Sequence, residues 1–206
     1  MSENTKHKVF VSFHHANDQE YKDALVKFGT ESGIFTDGSV NMGEIPDDWD
    51  AQKIREYIRD EHLKDTTVTI LLVGTETKNR KHVDWELYSS MFNGKKNKKS
   101  GILVINLPSV NCSNHTLCSK EEKTAILPYV TKWISITEYS GYEERYPYMP
   151  ARIIDNLLKS DVKISVVNWD DVYGHADKLR LLIEKAFESR ISNDYDMSRE
   201  MRMRNS

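Results

Sequence analysis

The chain has 206 residues, 38% hydrophobic and 30% charged, which suits one large soluble globular domain and excludes a disordered chain, a collagen-like repeat or a disulfide-built miniprotein. The 29 basic and 32 acidic residues leave a net charge of −3, so no global positive field is available to hold nucleic acid, and that partner is not expected. Two cysteines are too few for a secreted framework, the apolar runs 68–73 and 102–107 fall far short of the ~20 residues of a membrane span, and Met1 to Lys8 contain no apolar signal core, so a cytoplasmic chain without membrane contact is expected.

Val9 to Phe13 is a β-branched and aromatic run that predicts the first strand. Asn17, with Glu20 three residues on, predicts the cap of a helix carrying Tyr21, Leu25 and Phe28 and ending at Gly29 and Gly33. A short extended piece at Ile34 to Thr36 follows. From Asp37 to Trp49 the punctuation of Gly38, Gly43 and Pro46 predicts an irregular loop whose side chains are free for a ligand. Ala51, Ile54 and Ile58 mark a helix ending near His62, and Thr67 to Val73 reads as a strand buried on both faces.

Gly74 to Thr77 leads into a third helix with a Val83, Leu87, Met91 stripe. The lysine-rich stretch Gly94 to Gly101 is able to meet phosphate, but is read here as a solvated turn before the strand Ile102 to Ile105. Beyond Pro108 the expected elements are a strand at Trp133 to Ile136, a helix carrying Ile153, Ile154, Leu157 and Leu158, a strand from Val162 to Val167, and a helix with Leu179, Leu182, Ile183, Ala186 and Phe187. Tyr139 to Pro150 shows no assignable pattern, and the Met197 to Arg204 tail is expected to extend the last helix or to fray. Strands alternating with helices imply parallel pairing through right-handed crossovers, hence a three-layer α/β domain. Ligands of such sheets sit beyond the carboxyl ends of the strands, on a rim formed here by 14–18, 37–49 and 74–86.

Several chemistries are excluded by spacing. Gly38 and Gly43 are placed as in a phosphate-binding loop, but Glu44 stands where a lysine is needed. No G-x-G-x-x-G follows the first strand, no G-x-S-x-G occurs, and Val73, Gly74 and Thr75 offer no phosphoaccepting aspartate. Cys112, His115 and Cys118 have the donor chemistry of a zinc site but supply only three local ligands, so no metal is expected. His14 and His15 should diverge at a strand end, one facing the rim or both packed or exposed. Glu86 lies about 60° from Val83 and about 100° from Leu87, at the edge of the helix stripe. It reads equally as a surface glutamate near a helix start or as a part-buried carboxylate of raised pKa beside Trp85.

Val9 to Phe13 followed by His14, His15, Asn17 and Asp18, together with Arg80, Val83, Asp84, Trp85, Glu86 and Leu87 after a hydrophobic strand, resembles the TIR-like family of bacterial proteins, most closely the TIR-like proteins of Thoeris antiphage defence. The resemblance implies a flavodoxin-like fold and a single TIR-like domain over 1–206, with a family-specific extension over about 111–206. It also implies an enzyme that takes NAD as substrate, needs no cofactor, cleaves the bond from nicotinamide to ribose, and makes a cyclised ADP-ribose messenger. A phage component would trigger it, and the diffusible messenger would reach a partner effector. Glu86 matches the family's catalytic glutamate, and the 37–49 loop matches its mobile loop for self-association and substrate covering.

Around Glu86, the aromatic rings of Phe13, Trp49 and Trp85 would stack on nicotinamide or adenine or else serve as core, and His14, Asn17, Asp37 and Ser39 would offer polar contacts. Glycine hinges in the loop would let it exclude water, favouring cyclisation. A non-catalytic TIR-type interaction module and a nucleoside deoxyribosyltransferase-like enzyme are the alternative readings.

Overall fold

Five parallel strands lie in the order β2-β1-β3-β4-β5: β1 (His7–Ser12), β2 (Phe35–Asp37), β3 (Val68–Val73), β4 (Gly101–Asn106) and β5 (Ser165–Asn168). This is the flavodoxin-like order, in agreement with the α/β alternation of the sequence. The computed structural model describes residues 6–39, 49–94 and 97–205. Every residue of β3 and β4 is buried, which is why both read as nearly continuous apolar runs and not as alternating ones.

Side chains alternate between the two faces of the sheet. Val9, Val11, Ile70, Leu72, Leu103 and Ile105 point toward α1 (His15–Glu31) and α8 (Ala176–Ser189), meeting Leu25, Leu179, Leu182 and Ile183. Leu71, Val73, Ile102 and Val104 point the other way, against Val83, Leu87 and Met91 of α3 (Lys81–Met91) and Ile153 and Ile154 of α6 (Ala151–Leu157). Phe10, on that second face, packs with Ile54 of α2 (Ala51–Tyr57), Ile58 and Trp85. Each fully buried aliphatic side chain contributes about 1.5–3 kcal/mol, so the layers, and with them the rim, are held by burial. Short helices α4 (Lys120–Ile126), α5 (Tyr139–Arg145) and α7 (Trp169–Val172) fill the connections.

Several expected elements take another form. The first helix begins at His15, with His14 at its cap position and no side-chain cap, so Asn17 is an exposed first-turn residue and not the cap. The helix after the loop passes at Ile58–His62 into a π-turn, closed by the Leu63 N–H donating to the Ile58 carbonyl at 2.9 Å. The strand expected at 133–136 pairs with nothing described. Its alternation is satisfied by packing at the sheet edge, where Trp133 lies against one hydrophobic cluster and Ile136 against the other, while Thr116 already occupies the outer edge of β5 through Val166.

The last strand starts at Ser165, later than expected. The N–H and carbonyl of Lys163 are held by the Asn193 side chain at 2.8 and 3.2 Å and so are unavailable to a ladder. The unassigned 139–150 stretch holds α5. The tail neither extends α8 nor frays: it crosses α6 and α3, with Met201 buried beside Trp85 and the Asn205 side chain accepting from the Lys81 N–H at 2.9 Å.

Close approach of α8 to β4 depends on Gly101, where an added Cβ would sit 1.9 Å from the Ala186 carbonyl oxygen. A backbone atom cannot swing aside as a side-chain end can. Gly101→Ala is therefore expected to destabilise the protein by at least about 2 kcal/mol, measured as a lower urea midpoint at unchanged slope.

Candidate functional site

In this fold the strand order reverses between β1 and β3, and the crevice beyond their carboxyl ends is where ligands bind. Ser12 is the last residue of β1, and its hydroxyl donates to Glu86 Oε2 at 2.6 Å. Glu86 is 2% exposed, so it is neither a surface glutamate nor the part-exposed edge residue of the helix stripe. The reason is that α3 is covered on nearly every side, by the sheet, by α6 and by the tail. Burial pushes the Glu86 carboxyl up to about 8, against the smaller opposing effect of the Ser12 hydrogen bond.

Asp18, in the first turn of α1, is also buried, and its Oδ2 has no hydrogen-bond partner among the described residues. Burial raises its pKa, partly offset by Thr77. Asp18 lies so close to the end of β3 that a Cβ on Gly74 would fall 2.5 Å from Oδ2, so Gly74 is what lets the carboxylate sit there. Thr77 stays in place by accepting from the Gly74 N–H at 2.8 Å. Next to this cluster, His14 Nδ1 is buried without a partner, and its pKa is lowered by burial and then by Arg80. Arg80 is anchored to Glu76 at 2.9 Å.

The other expected contacts divide between the rim and the core. Phe13 is buried, with its ring stacked on His15 at 4.4 Å. The Asp37 carboxylate accepts from the Ser39 N–H at 2.9 Å, leaving the Ser39 hydroxyl without a hydrogen-bond partner among the described residues. Asn17 is exposed on the first turn of α1. Trp49 stands edge-on to Tyr57 at 5.3 Å, under the Lys53 ammonium at 4.2 Å.

Trp85 is the clear correction. It is 1% exposed, and its indole N–H donates to the Arg202 carbonyl at 2.7 Å, so it braces the tail and does not face the crevice. Residues 40–48 of the expected covering loop lie outside the described residues.

The Cys112, His115 and Cys118 side chains do not converge. His115 Nε2 meets Asp171 Oδ2 at 2.7 Å, and the Cys112 thiol faces the Asn114 carbonyl at 3.9 Å. Among the described residues no group of three or more histidine, cysteine or acidic side chains is placed to hold a metal. None of the described helices is long and apolar enough to cross a membrane.

Asp18, Thr77 and Arg80 lie within the rim segments expected from the sequence but are not among the residues singled out there as contacts, and Ser12 lies outside those segments. Asp18 had a readable signal, an acid in the first turn of a helix that directly follows a core strand. Ser12 had none, since a serine in a strand points to either face.

The family model for Thoeris protein ThsB, TIR-like domain, matches residues 10–112, half of the chain. The chain belongs to this family. The matched span carries every rim residue described above, from Ser12 to Glu86, whereas α4 to α8 and the tail lie beyond it in the ThsB-type chain. No curated protein matches the chain.

Proposed function

We propose that this ThsB-type TIR-like protein cleaves NAD at the bond from nicotinamide to ribose and releases a cyclised ADP-ribose messenger that activates an effector in antiphage defence. The observation that carries the reading is Glu86, a carboxyl buried at the carboxyl rim and fixed by the Ser12 hydroxyl at 2.6 Å. When the C–N bond breaks, nicotinamide leaves as a neutral base with the bonding pair, and positive charge moves onto the ribose carbon and ring oxygen. A carboxylate beside that charge is worth most where water is excluded.

Burial favours the protonated acid, with the carboxyl pushed up to about 8. The cationic nicotinamide ring of bound NAD favours ionisation, so substrate binding itself produces the charged form. His14 Nδ1, Asp18 Oδ2 and the Ser39 hydroxyl, unpartnered on the same rim among the described residues, are the polar groups available to ribose and phosphate. Cyclisation follows if a tethered adenine nitrogen or ribose hydroxyl reaches the cationic carbon before water does. Supporting a single domain over 1–206, β5 from the second half of the chain pairs with β4, and α8 covers the sheet.

Extracts of phage-challenged cells expressing the chain test the proposal when supplied with NAD. Free nicotinamide should appear together with a species lighter than ADP-ribose by one water. Linear ADP-ribose alone would remove the cyclase reading, and no chain-dependent nicotinamide would remove NAD cleavage.

A further inference from the structure

At the opposite end of the sheet from Glu86, where chain enters β3 and β4, a cavity of about 320 Å3 opens between the end of α2 with its π-turn and the turn after α3. Arg55, Arg59, Phe92, Gly94 and Asn97 line it. Its size sits at the small end of the roughly 300–1,000 Å3 range of ligand pockets. Arg59 is 4% exposed, yet among the described residues no ion pair joins it to a carboxylate. Its hydrogen bonds are long and go to neutral acceptors, Nε to the Asn97 carbonyl at 3.4 Å and Nη1 to the Ser100 hydroxyl at 3.3 Å. Nη2 has none among the described residues.

Burial pulls the Arg59 pKa down to about 10 against the smaller opposing effect of the Asp60 carboxylate, so the desolvation of this guanidinium is only partly offset. Arg55 lies four residues earlier on the same side, its guanidinium over the Phe92 ring at 4.0 Å and its Nε buried without a hydrogen-bond partner. Two acids also line the cavity, and both are engaged. Asp60 accepts from Asn97 at 2.8 Å, and Glu56 accepts from Gln52 at 2.9 Å while standing 3.8 Å from Arg55. Arg59 sits on a π-turn, a distortion that is frequent at functional sites.

The geometry points to a binding site for a small phosphate-bearing anion between Arg55 and Arg59, separate from the Glu86 rim. Two guanidiniums one helical turn apart match different oxygens of a tetrahedral dianion, whose double charge offsets both. The neighbouring basic turn, read from sequence as solvated only, contributes Gly94 and Asn97 to the wall.

Calorimetric titration of the full chain at constant ionic strength, with inorganic phosphate, ribose 5-phosphate and succinate, tests the site. Saturable binding of phosphate or ribose 5-phosphate, stronger than that of succinate and weakened at least tenfold in Arg55→Gln, is the expected result. The tighter of the two phosphates identifies free phosphate or a phosphomonoester as the ligand class. Absence of saturable phosphate binding, equal or tighter binding of succinate, or unchanged phosphate affinity in Arg55→Gln would overturn the assignment. Arg59→Lys should weaken binding likewise; if that buried substitution prevents folding, the more exposed Arg55 variant decides alone.

Discussion

In Glu86→Gln protein, nicotinamide release from NAD is expected to fall to background while the fold becomes more stable, not less, above neutral pH. The amide has nearly the volume of the acid and keeps a hydrogen-bonding oxygen for Ser12, so only the capacity to ionise is lost. The stability effect follows from the displaced pKa. The folded protein holds the Glu86 proton up to about pH 8, while the unfolded chain releases it near the ordinary glutamate value of 4.5. The stability this proton linkage contributes is fully present below about pH 4.5 and is lost as pH rises through the window to about 8.

Gln does not titrate, so the variant's advantage should grow across that window, reaching about 2–4 kcal/mol at pH 8. Urea unfolding of both proteins at pH 5 and pH 8 reads the difference directly. In the wild type kcat/KM should rise toward pH 8 as the free enzyme's carboxyl ionises. Near-wild-type turnover by folded Glu86→Gln would sink the catalytic role, and parallel pH slopes of stability in the two proteins would sink the buried-acid account.

Asp84→Ala is expected to destabilise the protein by about 3–5 kcal/mol, since removing one partner of a buried pair leaves the other charge uncompensated. Arg152, 1% exposed, donates from Nε and Nη2 to the two Asp84 oxygens at 2.9 and 3.0 Å. The same guanidinium donates to the Arg199 and Glu200 carbonyls, at 2.9 and 3.1 Å, and Asp84 also accepts from the Arg202 N–H at 2.8 Å. One ion pair thus joins α3, α6 and the tail. Its loss should free the tail, so trypsin should cut near Arg199 and Arg202 faster than in the wild type.

The comparison is Arg199→Ala, which removes an exposed pair with Asp155 and should cost under about 1 kcal/mol. A loss under 1 kcal/mol for Asp84→Ala, or an unchanged cleavage rate, would contradict this account. Because α3 carries Glu86, the network also bears on the site: the tail covers the outer side of the helix whose inner side holds the carboxyl.

The alternation of strand and helix patterns was enough to predict the parallel sheet, because buried central strands such as β3 and β4 must be apolar on both faces wherever they lie. The Asp84, Trp85, Glu86 run after an apolar strand was likewise readable, and with it the family. What lay beyond the sequence depended on partners far away in the chain. Trp85 reads as a rim aromatic until Arg202, 117 residues later, takes its indole N–H. Trp133 to Ile136 has the composition of a strand, but a strand needs an unpaired neighbour, and Thr116 already holds the β5 edge. The guanidinium of Arg59 is met by Asn97 and Ser100, 38 and 41 residues later, partners that its own segment does not reveal. Glu86 shows most plainly where the division falls. Its position on α3 follows from local spacing, whereas its burial, and so its displaced pKa, comes from the sheet, α6 and the tail closing around it, because desolvation is set by everything that surrounds a group and not by its own segment.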